Sequence, residues 1–287
     1  MSGDTPAGGA TARPEAATAG RRPALVLAVV LLATFAINVD TTIVNVALPA
    51  VSRQLHATTS GLQWVVDAYN LAFAALILAG GTVGDRYGRR WTLAAGLAVF
   101  AAGSAVAAEA GSTSALIGWR VLMGAAAAFI FPTTLSIISQ TFPDRAARAK
   151  AIGAWGAAAG AAVALGPIAG GELLGHFWWG SIFWVMVPLA ALTLAGTLAF
   201  VPADRRTPGE PLDLRGLGLS ALGLASLVYT IIEAPDHGWS SSRTLAGFAV
   251  AAAALTALAV VEARAAHPML DVRLFTDLRF TAASGAV

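Results

Sequence analysis

Two charged residues lie where the sequence leaves them little access to water. Asp40 sits within NVDTTIVNVALP and Arg120 within ALIGWRVLMG, each inside an apolar run long enough to cross a bilayer. A charge at mid-membrane costs about 3 kcal/mol or more, so an ionisable residue there reads as functional by default. Arg120 keeps its proton in any realistic setting and needs an acidic or carbonyl partner. As a structural device it would pin two helices together. As a chemical one it would adjust the protonation of a nearby carboxylate and take part in an ion or proton relay. Thr34, Asn38, Thr41 and Asn45 follow one another at helical spacing and share a face, while Asp40 lies about 130° round the helix from them. A helix with two polar aspects belongs within a bundle, beside a wet cavity. Asp67, Glu172 and Glu233 fall near the ends of apolar runs, where headgroups or water can reach them.

Two glycine-rich stretches add geometry rather than reactivity. In GTVGDRYGRR, Gly81, Gly84 and Gly88 suit a tight turn and close helix approach. Asp85 there faces either the start of the next helix or an arginine across the loop, with Arg86, Arg89 and Arg90 beside it. In GPIAGG, Pro167 removes a helix hydrogen bond and bends its span, and Gly166, Gly170 and Gly171 permit backbone contact. Gly153, Gly156 and Gly160 extend that small-residue face upstream. Other chemistries are missing. The sequence has no cysteine, hence no thiolate metal site, and no phosphate-cradling GxxxxGK[ST] precedes Lys150. His56, His176, His237 and His267 lack metal-ligand spacing, so no metal is expected. Transport, if the chain performs it, would run on an ion gradient or a substrate gradient alone.

The elements that must hold these residues are membrane helices. Of 287 residues, 57% are hydrophobic and 12% charged, where soluble domains carry about 25% charged residues. Mean hydropathy is +0.70. That excludes an ordinary cytosolic enzyme, a disordered chain and, at a net charge of +2 with no basic stripe, a nucleic-acid binder. A spanning helix takes roughly 20 apolar residues. Eight runs qualify: 24–49, 62–83, 91–109, 114–138, 149–173, 179–201, 215–234 and 244–263. Fifteen of the 18 basic residues then fall on one side and only Arg53 and Arg243 on the other. Short basic loops stay cytoplasmic, which puts the N-terminus inside. Residues 1–22 read as a disordered cytoplasmic tail, 23–201 as a six-helix unit and 202–214 as a cytoplasmic linker. Residues 215–264 hold two additional helices, and 265–287 a loop and the start of a ninth span. Arg21-Arg22 before an apolar run resembles a signal peptide, but no small-residue cleavage site accompanies it, and retention is expected.

Taken together, these stretches resemble the major facilitator superfamily, and more narrowly its 14-span drug:proton antiporter branch of multidrug efflux pumps. GTVGDRYGRR is similar to the family's loop motif between spans 2 and 3, with Val83 and Gly84 replacing the usual Leu-Ala. DTTIVNVALP is similar to the branch's span 1 motif. LIGWRVLMGAAAA is similar to its proton-relay motif, with Met123 for a usual Gln and Ala126 for a usual Gly. LGPIAGG resembles the antiporter motif of span 5, and LQWVVDAY and LDLRGLGL…IIEAPDHGW also look like this branch. WGSIFWVMVP departs from it, lacking the usual Arg near Gly180 and Asn near Met186.

The resemblance implies an all-α integral membrane protein: the six-helix N-terminal half of a facilitator bundle plus two additional helices. A C-terminal half is expected in the full-length protein. It implies proton-coupled efflux of drugs or other lipophilic or cationic molecules across the plasma (inner) membrane, with no cofactor beyond the proton gradient. Asp40 and Arg120 would couple protons, and Gly81, Gly84, Asp85, Arg86, Gly88, Arg89 and Arg90 would form a gating loop. Gly166, Pro167, Gly170 and Gly171 would lie on the antiporter helix. Asn38, Thr41, Asn45, Tyr69 and Asn70 are candidate cavity-lining residues. Two alternatives keep the fold: export of a different metabolite, or a truncated membrane protein that does not transport.

Overall fold

The computed structural model describes residues 14–203 and 214–264, and among these it is helical with no strand. The chain forms α1 (Pro14–Leu55), α2 (Thr59–Tyr87), α3 (Arg89–Ala108), α4 (Thr113–Thr141), α5 (Arg145–His176), α6 (Ser181–Trp184), α7 (Met186–Phe200), α8 (Leu214–His237) and α9 (Ser242–Arg264). Among the described residues, eight segments are long and apolar enough to cross a membrane, with α6 and α7 together making the sixth. Val185 interrupts that span. Four helices start on a side chain that accepts a first-turn N–H: Thr58 from Gly61 at 3.1 Å, Ser112 from Ala115 at 3.2 Å, Asp144 from Ala147 at 2.8 Å and Ser241 from Thr244 at 3.2 Å. Each satisfies a donor that the helix itself cannot.

Element boundaries differ from the hydropathy limits in an instructive way. α2 continues to Tyr87, so most of GTVGDRYGRR is helix and Gly88 alone makes the turn into α3. Its φ of 98° is open to glycine at no steric cost. α1 begins at Pro14, inside the stretch read as a tail, with proline at the first helical position where its missing N–H costs nothing. Residues 1–13, most of the 202–214 linker and the whole of 265–287 lie outside the described residues. α5 runs unbroken through Pro167.

Packing gathers α1 to α7 around one apolar core that includes Ile43, Leu97, Phe100, Leu116, Met123, Ile130 and Phe183 and ends at Val201. α2 lies along α4, α1 along α5 and α7, and α3 along α4 and α7. Lipid tails are as apolar as leucine, so helix association here rests on close contact rather than on escape from water. The seams show it. A Cβ on Gly80 would fall on the Ala128 carbonyl, and one on Gly124 on the Tyr69 carbonyl. α8 and α9 form a hairpin that docks on α2 outside this core.

Candidate functional site

α1, α2 and α4 meet at a buried ion pair. Asp40 and Arg120 are both fully buried, and Arg120 Nη1 donates to Asp40 Oδ2 across 80 residues of sequence. Arg120 Nε donates to the Val65 carbonyl at 2.9 Å. The guanidinium lies 4.3 Å from the centre of the Tyr69 ring. Tyr69 in turn donates to the Ile37 carbonyl at 3.2 Å, so the ring is clamped between α1 and α4. The arginine thus finds both an acid and a carbonyl. Asp40 Oδ1 and Arg120 Nη2 are buried with no hydrogen-bond partner among the described residues. A buried polar atom left over in this way asks for a role. The pair is held at one corner and open at the other.

The polar stripe of α1 points elsewhere. Thr34 is buried, Asn38 and Thr41 half-buried and Asn45 exposed. Each bonds back to its own helix: Asn38 Nδ2 to the Thr34 carbonyl at 2.7 Å, Thr41 Oγ1 to that of Asn38 at 2.7 Å, Asn45 Nδ2 to that of Thr41 at 3.2 Å. Exposed Asn70 does the same on α2, 3.4 Å from the Val66 carbonyl. Tyr69 is buried under Arg120 rather than on an open wall.

At one end of the bundle α2 and α4 border a cavity of about 420 Å³ lined by Gly81, Gly84, Asp85, Arg89, Ser136 and Gln140 among others. Asp85, mostly exposed, accepts from Arg89 at 2.8 Å and from Ser136 Oγ at 3.3 Å. Of the two orientations left open for Asp85, the arginine contact is the one formed. A Cβ on Gly84 would stand 3.0 Å from Thr133 Oγ1, which explains a glycine there. Arg86 lies over the Tyr87 ring at 5.6 Å, and Arg90 turns away to the Leu198 carbonyl on α7.

The glycines of α5 divide into two groups. Gly166 and Gly170 are buried against Thr42 and Ile43 of α1, where a Cβ would collide. Pro167 and Gly171 face outward with Val163 and Ile168, and a Cβ on Gly171 would meet nothing within 4 Å. Gly153, Gly156 and Gly160 are likewise open, so the small-residue face does not extend upstream along α1 as the spacing suggested. Those three positions are exposed, while Ala151 and Ala162 beside them are buried in the core.

Sequence reasoning missed two features. Trp64 Nε1 donates to Glu233 at 3.1 Å, tying α8 to α2. Phe73, Phe131 and Trp155 form an edge-to-face series with centroids 5.6 and 4.9 Å apart, and Trp155 donates to Thr134 at 3.0 Å. Neither had a local signal, because each joins residues far apart in the chain.

The pattern of the Major Facilitator Superfamily matches residues 30–261. Among curated proteins, the chain is 36% identical over 256 residues to multidrug resistance protein Stp of Mycobacterium tuberculosis, covering 89% of this chain and 48% of Stp. It is 39% identical over 255 residues to the multidrug efflux pump LfrA of Mycolicibacterium smegmatis, covering 89% and 50%. It is 35% identical over 263 residues to the tetracenomycin C resistance and export protein of Streptomyces glaucescens, covering 91% and 48%. The chain therefore spans about half the length of the curated relatives it matches. Among solved structures, a peptide transporter POT bound to sulfate superposes with a TM-score of 0.63 at 15% identity, covering 84% of this chain and 52% of the other. The human organic anion transporter MFSD10 gives 0.53 at 17% identity, covering 86% and 72%. These two show the fold alone.

Proposed function

The chain belongs to the major facilitator superfamily, a family of membrane transporters rather than enzymes, and on that premise we propose that it forms part of a proton-coupled drug exporter. The observation that carries the reading is the buried Asp40–Arg120 pair. A carboxylate inside a bilayer protein is costly unless it is paired, and its charge is relieved when it takes a proton. Protonating Asp40 would weaken its hold on Arg120 and leave the arginine to the Val65 carbonyl and Tyr69 ring it already touches, and loss of the proton would restore the pair. That exchange gives the bundle two arrangements that differ by one proton. Facilitators rock two halves about a midplane site, and this chain would supply one of them. The Asp85–Arg89 contact would act as a latch at the basic end, which supports a cytoplasmic N-terminus in the plasma membrane. The proton gradient supplies the driving force and no cofactor is needed.

Relatives named for multidrug, tetracenomycin C and methyl viologen resistance support a lipophilic or cationic cargo. The half-buried rings of Phe73, Phe131 and Trp155 offer the apolar and π surface that such a cargo would use. The test uses everted membrane vesicles that contain the protein, with an acridine dye reporting the pH gradient and ethidium as cargo. Ethidium should collapse part of the gradient in the native protein and none of it in Asp40→Asn. Undiminished proton-coupled efflux in that variant would sink the role of Asp40. Competition between ethidium and uncharged metabolites would separate drug export from another cargo.

A further inference from the structure

A second cavity, of about 660 Å³, opens at the end of the bundle where α1 and α3 begin and α4 and α7 finish. Two arginines line it, Arg22 where the apolar span of α1 begins and Arg90 from the start of α3, together with Gln140 and Thr141 at the end of α4. No acidic residue lines it among the described residues. Arg90 is held in place: Nη2 donates to the Leu198 carbonyl at 2.5 Å and the guanidinium stacks 5.7 Å from the Trp91 ring. Its Nε is buried with no hydrogen-bond partner among the described residues. The remaining wall is apolar, with Val26, Ile137 and Phe200. Trp91, exposed beside it, suits the aromatic belt where hydrocarbon meets headgroups.

Two guanidiniums around a roomy cavity, one with a spare buried donor and neither facing an acid among the described residues, are arranged for an anion. Arginine favours the oxygens of a phosphate, which it engages with paired N–H groups. The apolar wall and the position at the helix ends decide between free phosphate and lipid. A free phosphate gains nothing from Val26, Ile137 and Phe200, whereas a lipid carries its glycerol and first methylenes against them. We propose that this cavity binds the phosphodiester headgroup of an anionic phospholipid of the adjoining leaflet. That the leaflet is the cytoplasmic one rests on the orientation proposed above, but the binding does not. Gln140 also lines the cavity beside Asp85 and Arg89, so a bound headgroup sits one side chain away from the latch.

The test is native mass spectrometry of the full chain in detergent, titrated with phosphatidylglycerol or phosphatidylcholine. The wild type should retain one phosphatidylglycerol more tightly than any phosphatidylcholine. The R22Q/R90Q double variant should bind it at least about tenfold more weakly, since two charge-assisted hydrogen bonds are removed. R53Q, an exposed change at the other end of α1, should bind as wild type. Circular dichroism and a monodisperse elution profile establish that each variant folds. Should the double variant not fold, R22Q alone carries the test, because Arg22 is exposed; a loss of about twofold to fivefold is expected. Undiminished phosphatidylglycerol binding in the folded variants overturns the proposal. So does equal binding of the two lipids, or displacement of phosphatidylglycerol by equimolar inorganic phosphate, which would mark a free-anion site. Because the readout is binding and not transport, its failure is distinct from failure of the export reading.

Discussion

Arg120 brings five N–H donors into the seam between α1, α2 and α4, and the seam answers with a carboxylate, a carbonyl and a ring face. Lysine could not replace it, because a compact ammonium cannot hold Asp40, reach Val65 and stack on Tyr69 at once. Removing the arginine outright strands a buried carboxylate, which costs about 3–5 kcal/mol. Removing both charges and filling the space costs far less. The expected order of thermal midpoints in detergent is therefore wild type, then R120K, then R120M, with D40L/R120M recovering most of the loss. If the double variant is as unstable as the sum of the two singles, Asp40 and Arg120 do not act as a unit. The sequence made each charge legible because an apolar run surrounds it. It could not show that they pair, since 80 residues separate them and no spacing rule reaches that far. The stripe of Asn38, Thr41 and Asn45 was legible as a face, but its bonds to its own backbone were not. Those side chains carry both the option of local satisfaction and the option of a partner.

Among the helices, glycine does two different jobs, and spacing alone does not separate them. At Gly124 the α2 backbone of Tyr69 presses on α4 so closely that a methyl group has no room. G124A should therefore lower the midpoint sharply, whereas G153A, open on α5, should leave it unchanged or raise it by the helix propensity of alanine, about 0.5–1 kcal/mol. The GPIAGG stretch of α5 makes the sharper comparison. Gly166 meets Thr42 on α1, and Gly171 faces outward. G166A should destabilise the bundle. G171A should fold as wild type yet slow ethidium efflux if that face meets a second half during transport. A G171A protein with native efflux would remove the outward face of α5 from the cycle. The spans themselves were readable from length and hydropathy because lipid imposes both. Their ends were not, since helices run on into the interface where hydropathy falls. α2 does so through Asp85 to Tyr87 until Gly88, at a φ of 98°, ends it. The break at Val185 does carry a local signal, because Pro188 in the first turn of α7 lacks the N–H that would bond the Trp184 carbonyl.

For the molecule as a whole, the continuous core among the described residues ends at Val201, and none of those described in α8 and α9 belongs to it. What joins that hairpin to the rest is its seam with α2, where Trp64 donates to Glu233 at 3.1 Å and lies 5.6 Å from the Tyr229 ring. Glu233 is also 3.5 Å from His237 and 4.0 Å from Arg243, so one carboxylate gathers both helices of the hairpin and the tryptophan of α2. Near the end of the span, a single such hydrogen bond is worth about 0.6 kcal/mol, enough to bias a seam that little else holds. Trp64→Phe keeps most of the ring contact and deletes only the N–H. The core of α1 to α7 loses nothing by it, so unfolding of that unit should be unaffected. Hydrogen exchange should then quicken in α8 and α9 while α1 and α4 keep their protection, since opening free energies follow the local seam rather than the global fold. Faster exchange spread evenly over all helices would mean instead that the hairpin and the six-span unit open together. In that case the separation of the core at Val201 would describe packing but not stability. Glu233→Gln offers the complementary change. It keeps an acceptor for Trp64 but weakens the hold on Arg243, so it should loosen α9 more than α8 if the carboxylate is what ties the hairpin together.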